Sequence, residues 1–266
     1  MSVAISAGAG SAGAGSAVRE PLMSRALTLA TARRVLAQLR HDPRTVAMML
    51  AVPAILMILL RYVLNNPPLL NRLAPAYIGV FPFVIMFIVA AITTQRERAR
   101  GTLERLMAMP LGKLDLLAGY AIAFGLVACV QVAAVLVISL TWLGVTLPGS
   151  AVPMAVVAVL DAILGMALGL FASAFARSEF QAVQFMPAFV LPQALLCGLI
   201  IARDQMTPVL RWLSDVLPLS YAVDAMQRIS VSPSWTRAMT ADVAIIVAFT
   251  AAALVGGALT LRRRSR

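Results

Sequence analysis

The sequence predicts an all-α integral membrane protein with six transmembrane helices. Two observations on composition and one on patterning carry that prediction. Hydrophobic residues make up 61% of the chain and charged residues only 12%. Mean hydropathy is +0.90. The charges fall in gaps between long apolar runs. A soluble domain carries about a quarter charged residues, so this chain has too little polar surface for a water-facing globule. Its apolar surplus must face lipid. With 266 residues it is long enough for one helical bundle, but not for a bundle plus a soluble enzyme domain. The net charge of +11 would ordinarily point to nucleic acid. Because the basic residues sit between apolar runs, they read as topology signals, and no nucleic-acid partner is expected. Lys113 is the only lysine among 22 basic residues. That use of arginine, with abundant alanine, hints at a GC-rich bacterial genome.

Residues 1–17 are almost all Ala, Gly, Ser and Val. They lack the basic start and compact apolar core of a signal peptide, so residues 1–23 are expected to be a disordered tail. Residues 24–262 are expected to form a single transmembrane domain, and 263–266 a basic cytoplasmic tail. The first element, 24–41, reads as an amphipathic helix with Leu29, Ala32, Leu36 and Leu39 on one stripe. A basic amphipathic helix before a span fits the membrane interface. The alternative is an ordinary solvated helix.

Charge-free runs follow at 45–60, 73–95, 116–160, 162–176, 180–202 and 243–261. A span needs about 20 mainly apolar residues. The 116–160 run is too long for one, and it breaks at 144–153, where GVTLPGSAVP carries turn residues. Its second half joins the next run across Asp161. The expected spans are therefore near 46–64, 75–95, 116–143, 152–176, 180–202 and 243–261. With the N-terminus inside, sixteen basic residues fall on inside segments: six before the first run, five in 96–113, Arg177, and four in 262–266. The outside segments hold five: Arg72, Arg203, Arg211, Arg228 and Arg237. This asymmetry predicts that both termini are cytoplasmic.

The outer segment 203–241 is predicted to contain two short helices. Thr207 followed by Pro208 is a good helix start. A second helix is expected through 221–229, with Asp224 and Arg228 paired at i, i+4. The two pieces read either as a cap on the fifth span, half in the membrane, or as surface decoration.

Residues 95–115, QRERARGTLERLMAMPLGKLD, form a short and densely charged inside segment. Gly101 can break the helix arriving from the second span. Residues 102–109 can form a separate short helix with Leu103, Leu106 and Met107 on one face, ended by Pro110. A two-turn helix with an apolar face and charged rim suits a groove on another protein. The alternative is an ordinary basic loop.

The stretch ERARGTLERLMAMP resembles the cytoplasmic signature of type 2 ABC exporter permeases, in which Glu-Arg, Gly-Thr, Glu and a later Pro recur. HDPRTVAMMLAVPAILMILL resembles the start of that family's first span. ARSEFQAVQFMPAFVLPQALLCGLI resembles its fifth span, and VLPLSYAVDAMQ the segment after it. Within the family the chain resembles the daunorubicin-resistance permeases. The resemblance implies a bacterial plasma-membrane exporter of an amphiphilic drug, lipid or lipid-linked glycan, acting in efflux and antibiotic resistance. It makes the cytoplasmic helix a coupling helix seated on an ATPase, with Glu97, Arg98, Gly101, Thr102, Glu104 and Pro110 at the matching positions. Leu103 and Leu106 supply its apolar face. The sequence has no G-x-x-x-x-G-K-[ST] phosphate loop. ATP and Mg would therefore be bound by a separate subunit, and no cofactor is expected in this chain. The family further implies two ATPases and two permeases, the second permease being a copy of this chain or a homologue.

Within the apolar runs, Asp161 is either a functional carboxylate or a neutral or hydrogen-bonded acid near the interface. Gln131, Gln184 and Gln193 can line a path or bond between helices. Gly165 and Gly169 form a G-x-x-x-G, which permits close helix contact but arises often by chance in so Gly- and Ala-rich a chain. Cys129 and Cys197 read as small core residues, and His41 as a juxtamembrane polar group without the neighbours of a metal site. A membrane-embedded enzyme would need several converging polar groups, and a secondary transporter an internal repeat. The sequence shows neither.

Overall fold

The computed structural model describes residues 24–102, Arg105 and 112–260. Nine α-helices and one 3-10 turn run through the described residues, with no strand among them. They are α1 (Arg25–Arg40), α2 (Pro43–Leu64), α3 (Pro67–Ala99), α4 (Lys113–Thr141), α5 (Val152–Ser173), α6 (Glu179–Leu196), α7 (Pro208–Val216), α8 (Pro218–Val231) and α9 (Arg237–Thr260), with the 3-10 turn at Arg203–Gln205. Five of them, α2, α3, α4, α5 and α9, are long and apolar enough to cross a membrane. The chain is thus a helical, multi-pass protein. Residues 103, 104, 106 and 107, expected on the short charged helix, and Pro110, expected to end it, lie outside the described residues.

Helix starts follow local chemistry. Asp42 and Asn66 each precede a proline and accept the backbone N–H three residues on, at 3.2 Å from Thr45 and 3.2 Å from Leu69. Asn65 closes α2 in the left-handed region at φ 41°. α3 stops at Ala99, and Gly101 follows at φ 69°, a conformation costly for any residue with a Cβ.

α3 and α5 form the centre of the bundle. Their packing is set by the G-x-x-x-G of α5. A Cβ on Gly165 would lie 2.3 Å from the Phe83 carbonyl oxygen, and one on Gly169 2.3 Å from that of Phe87. A motif weak in the sequence is therefore the point where two backbones touch. Gly119 does the same for α4 against α1, with Thr31 pressed onto it.

Four expectations need correction. The fifth predicted span, 180–202, is helical only as α6. That helix ends at Leu196, and Gly198 turns the chain at φ 91°. Pro187 and Pro192 inside α6 each remove a helix hydrogen bond. On α1 the buried face is Thr28, Thr31, Ala32, Val35 and Leu39, whereas Leu29 is 60% exposed. The buried face is centred on Thr31, which packs against Gly119 of α4, so Leu29 falls outside it while Ala32 and Leu39 fall within it. Cys129 is exposed on α4, while Cys197 is buried as expected. Asp224 does not pair with Arg228; Arg203 captures it, and Arg228 lies 3.4 Å from Asp242.

Candidate functional site

The basic end of the bundle, where α3 runs out toward Gly101, is held by two carboxylates. Glu97 comes from the last turn of α3 and is only 6% exposed. Arg34 of α1 donates Nη1 to its Oε1 at 3.0 Å and Nη2 to its Oε2 at 3.5 Å. The Tyr120 hydroxyl of α4 donates to Oε2, and Arg34 Nη2 reaches the same hydroxyl at 3.4 Å. Burial alone would lower the Arg34 pKa, but Glu97 and Tyr120 more than offset it and hold the guanidinium above its ordinary value. Asp115, from the first turn of α4, supplies the other contact. Its Oδ1 accepts the Ser24 N–H at 2.7 Å and the Thr28 hydroxyl at 2.9 Å. Ser24 makes no side-chain cap of its own, so the N-terminus of α1 is capped from across the chain. α1 is thereby pinned at its start by α4 and in its middle by α3.

Of the residues singled out from the sequence, Glu97, Arg98, Gly101 and Thr102 are brought to this end. Arg98 is partly buried with its Nε unpartnered among the described residues. Glu97 turns its carboxylate inward rather than toward a partner. Beside it, Arg96 makes a two-point pair with Glu179 at the start of α6, both bonds 3.0 Å. That pair is half exposed on both sides, and the Arg96 hydrogen bond holds the Glu179 carboxyl below its ordinary value.

In the middle of the bundle Gln131 bridges helices. Its Nε2 donates to the Met49 carbonyl at 2.7 Å. Pro53 lies four residues after Met49 and lacks the N–H that would normally occupy that carbonyl. Gln131 replaces the missing bond from α4. Gln184 is exposed on α6. Gln193 is buried, and its Oε1 accepts the Leu219 N–H at 3.4 Å, capping the start of α8. Asp161 lies in the middle of α5, wholly buried, with neither oxygen partnered among the described residues. It faces α3, where a Cβ on Gly79 would sit 3.1 Å from its Oδ2. It is therefore not hydrogen-bonded to any described residue.

The opposite end is organised by Arg203, which pairs with Asp215 and Asp224 and lies 5.2 Å from the centre of the Tyr221 ring. The Ser214 hydroxyl donates to the Leu196 carbonyl at 2.7 Å, tying α7 to the end of α6. Among the described residues no group of three or more His, Cys, Asp or Glu side chains could hold a metal ion. Sequence reading missed Arg34, Tyr120 and Asp115. The available signal was the cost of a carboxylate at the end of an apolar helix, which demands a cationic or hydroxyl partner from elsewhere.

Apolar helices long enough to cross a membrane, together with a densely basic end, define a multi-pass membrane protein. The family model for ABC-2 type transporters matches residues 25–230. The chain belongs to that family. Among relatives, it is 25% identical over 186 residues to a protein named probable multidrug ABC transporter permease YbhS of Escherichia coli, covering 69% of this chain and 49% of that one. It is 26% identical over 155 residues to probable multidrug ABC transporter permease YbhR of the same organism, covering 58% and 42%. It is 24% identical over 164 residues to ABC transporter G family member 20 of Dictyostelium discoideum, covering 62% and 22%. The chain thus spans about half the length, or less, of the relatives it matches.

Proposed function

We propose that this chain is the membrane-spanning subunit of an ATP-driven exporter in a bacterial plasma membrane. It crosses six times, with α6 as the short fifth crossing, and both termini are cytoplasmic. A separate ATP-binding subunit, present in two copies, docks on the segment after α3, and a second permease completes the path. The cargo is amphiphilic: a drug, a lipid or a lipid-linked glycan. What carries this reading is that the ABC-2 match spans the charged stretch 95–115. Support also comes from the relatives named as multidrug permeases.

In this reading Gly101, Thr102, Leu103, Glu104, Leu106 and Pro110 form the docking element. Glu97 acts as a positioning residue, fixing the point from which the segment leaves α3. Closure of the paired ATPases would push on that segment, and α3, locked to α5 through Gly165 and Gly169, would carry the motion into the bundle.

The test is Glu104→Lys, which would oppose a basic residue on the ATPase. Disrupting a desolvated interface pair costs on the order of 2–5 kcal/mol. The expected outcome is a normal membrane level with efflux lost and ATPase co-purification reduced. Gly101→Pro should act similarly, because proline cannot adopt φ 69°. Lys113→Ala, at the start of α4, should matter less. Normal efflux by both Glu104→Lys and Gly101→Pro would remove the docking role from this segment.

A further inference from the structure

A cavity of about 650 Å³ opens at the basic end between α1, the start of α2 and the last turns of α3. That volume lies within the ~300–1,000 Å³ range of small-molecule sites. Its walls are of two kinds. Arg34, Arg96 and Arg100 provide cations, while Leu39, Val89 and Ile92 provide apolar surface. On α3, Ile92 and Val89 lie one and two turns before Arg96, so they sit about 6 and about 10 Å further along the helix toward the bilayer centre. The cavity is therefore basic at headgroup depth and apolar below it.

Two carboxylates also line it, and both are occupied. Glu97 is held by Arg34 and Tyr120. Asp42 accepts the backbone N–H and the hydroxyl of Thr45, at 3.2 and 2.7 Å. Arg96 is shared with Glu179, but that pair is exposed on both sides and open to exchange. Arg100 makes no ion pair among the described residues. Arg40 and Arg44 are next to the lining residues Leu39, His41 and Thr45 in the chain.

We propose that this cavity binds an acidic phospholipid of the inner leaflet, its phosphate between Arg96 and Arg100 and its upper acyl chain along Val89 and Ile92. The proposal rests on the cytoplasmic placement of this end. Basic pockets between spanning helices on that face suit acidic headgroups. A free anion would use the arginines but leave the apolar wall bare. A lipid seated here joins the α1–α2 corner to α3 immediately before Gly101, next to the segment proposed to meet the ATPase.

The experiment uses the full chain with its ATPase, reconstituted in phosphatidylcholine vesicles carrying a minority of phosphatidylglycerol. The complex is re-extracted and its retained lipids are counted by mass spectrometry. Wild type should retain phosphatidylglycerol in preference to phosphatidylcholine. Arg100→Gln should lower that retention about fivefold, and Ile92→Trp, which fills the apolar wall, should lower it comparably. Arg100→Lys should keep it, and Arg237→Gln at the opposite end should leave it unchanged. Equal retention by wild type, Arg100→Gln and Ile92→Trp would overturn the site. So would displacement of the lipid by millimolar inorganic phosphate, which would indicate a free-anion site, or loss of the Arg100 dependence when the ATPase is removed, which would indicate a protein-protein surface. Labelling of Thr102→Cys from outside alone would instead overturn the orientation, while the retention data would still decide whether the cavity holds lipid.

Discussion

At Glu97 one carboxylate serves three helices. Its two oxygens take Arg34 from α1 and Tyr120 from α4, while its own backbone belongs to the last turn of α3. Removing one partner of a buried pair leaves the other uncompensated, which costs about 3–5 kcal/mol when both are fully buried. Arg34 is partly exposed at 26%, so solvent reduces that figure. Glu97→Ala is expected to destabilise by roughly 1–3 kcal/mol, and Glu97→Gln by less, because the amide oxygen still accepts from Arg34 while its NH2 can donate to the Tyr120 hydroxyl. Thermal unfolding of the detergent-purified chain checks the order. If Glu97→Ala melts with wild type, the pair contributes nothing. Gln131 presents a parallel case without charge. Gln131→Leu strips the Met49 carbonyl of its donor, and helix-helix hydrogen bonds in membranes average about 0.6 kcal/mol. The expected loss is therefore small for a residue so deeply buried, and a shift as large as that of Glu97→Ala would mean that Gln131 does more than bridge.

Between elements, the contact of α5 with α3 should be the least tolerant of change. A side chain at Gly165 or Gly169 meets a backbone oxygen, not the movable end of a side chain. Gly165→Val must push two helices apart, and overpacking of this kind costs typically 1–3 kcal/mol. The same change at Gly257, where a Cβ would meet nothing within 4 Å, should be nearly silent. Folded yield from membranes at matched expression measures the contrast, and equal yields would contradict the packing. The Arg96–Glu179 pair between α3 and α6 is of another kind. The folded Glu179 carboxyl titrates below its unfolded value, so its contribution is present above the unfolded pKa and is lost as pH falls through the folded one. Being half exposed, it should also fade with salt. Unfolding of Glu179→Gln against wild type should show a small difference near neutral pH that vanishes under acid. These examples also mark what was legible in the sequence. Helix positions were, because apolar run length and turn residues act locally: 46–64 became Pro43–Leu64 and 152–176 became Val152–Ser173. The partners of Glu97, Asp115 and Asp224 were not, because they lie 63, 91 and 21 residues away, and no periodicity encodes a contact between separate helices. The α6 ending was signalled by Gly198, but an apolar composition through residue 202 masked it.

Across the whole molecule, charge and aromatic placement agree on where the membrane boundaries fall. The three tryptophans of the chain, Trp142, Trp212 and Trp235, are all exposed, and all lie at the end opposite Arg96 and Arg100. Tryptophan concentrates at membrane–water interfaces, where its ring is apolar and its N–H wet. α7 carries Trp212 beside exposed Val209, Leu213 and Val216, an apolar face that fits the outer boundary rather than water. A tryptophan belt marks a boundary without saying which side is which. The arginine asymmetry supplies the direction, since basic residues are retained inside. The two together predict that Thr102 is cytoplasmic and Pro148, in the turn between α4 and α5, is exterior. In a background with Cys129 and Cys197 replaced by alanine, Thr102→Cys should react with a membrane-impermeant maleimide only after the cells are opened. Pro148→Cys should react in intact cells. Replacing Cys129 should be harmless because it is exposed on α4, whereas Cys197 is buried and its replacement should be checked for membrane level first. The reverse labelling pattern would invert the bundle, placing the arginine-lined cavity and the segment after Gly101 outside the cell. It would leave that segment unable to meet a cytoplasmic ATPase.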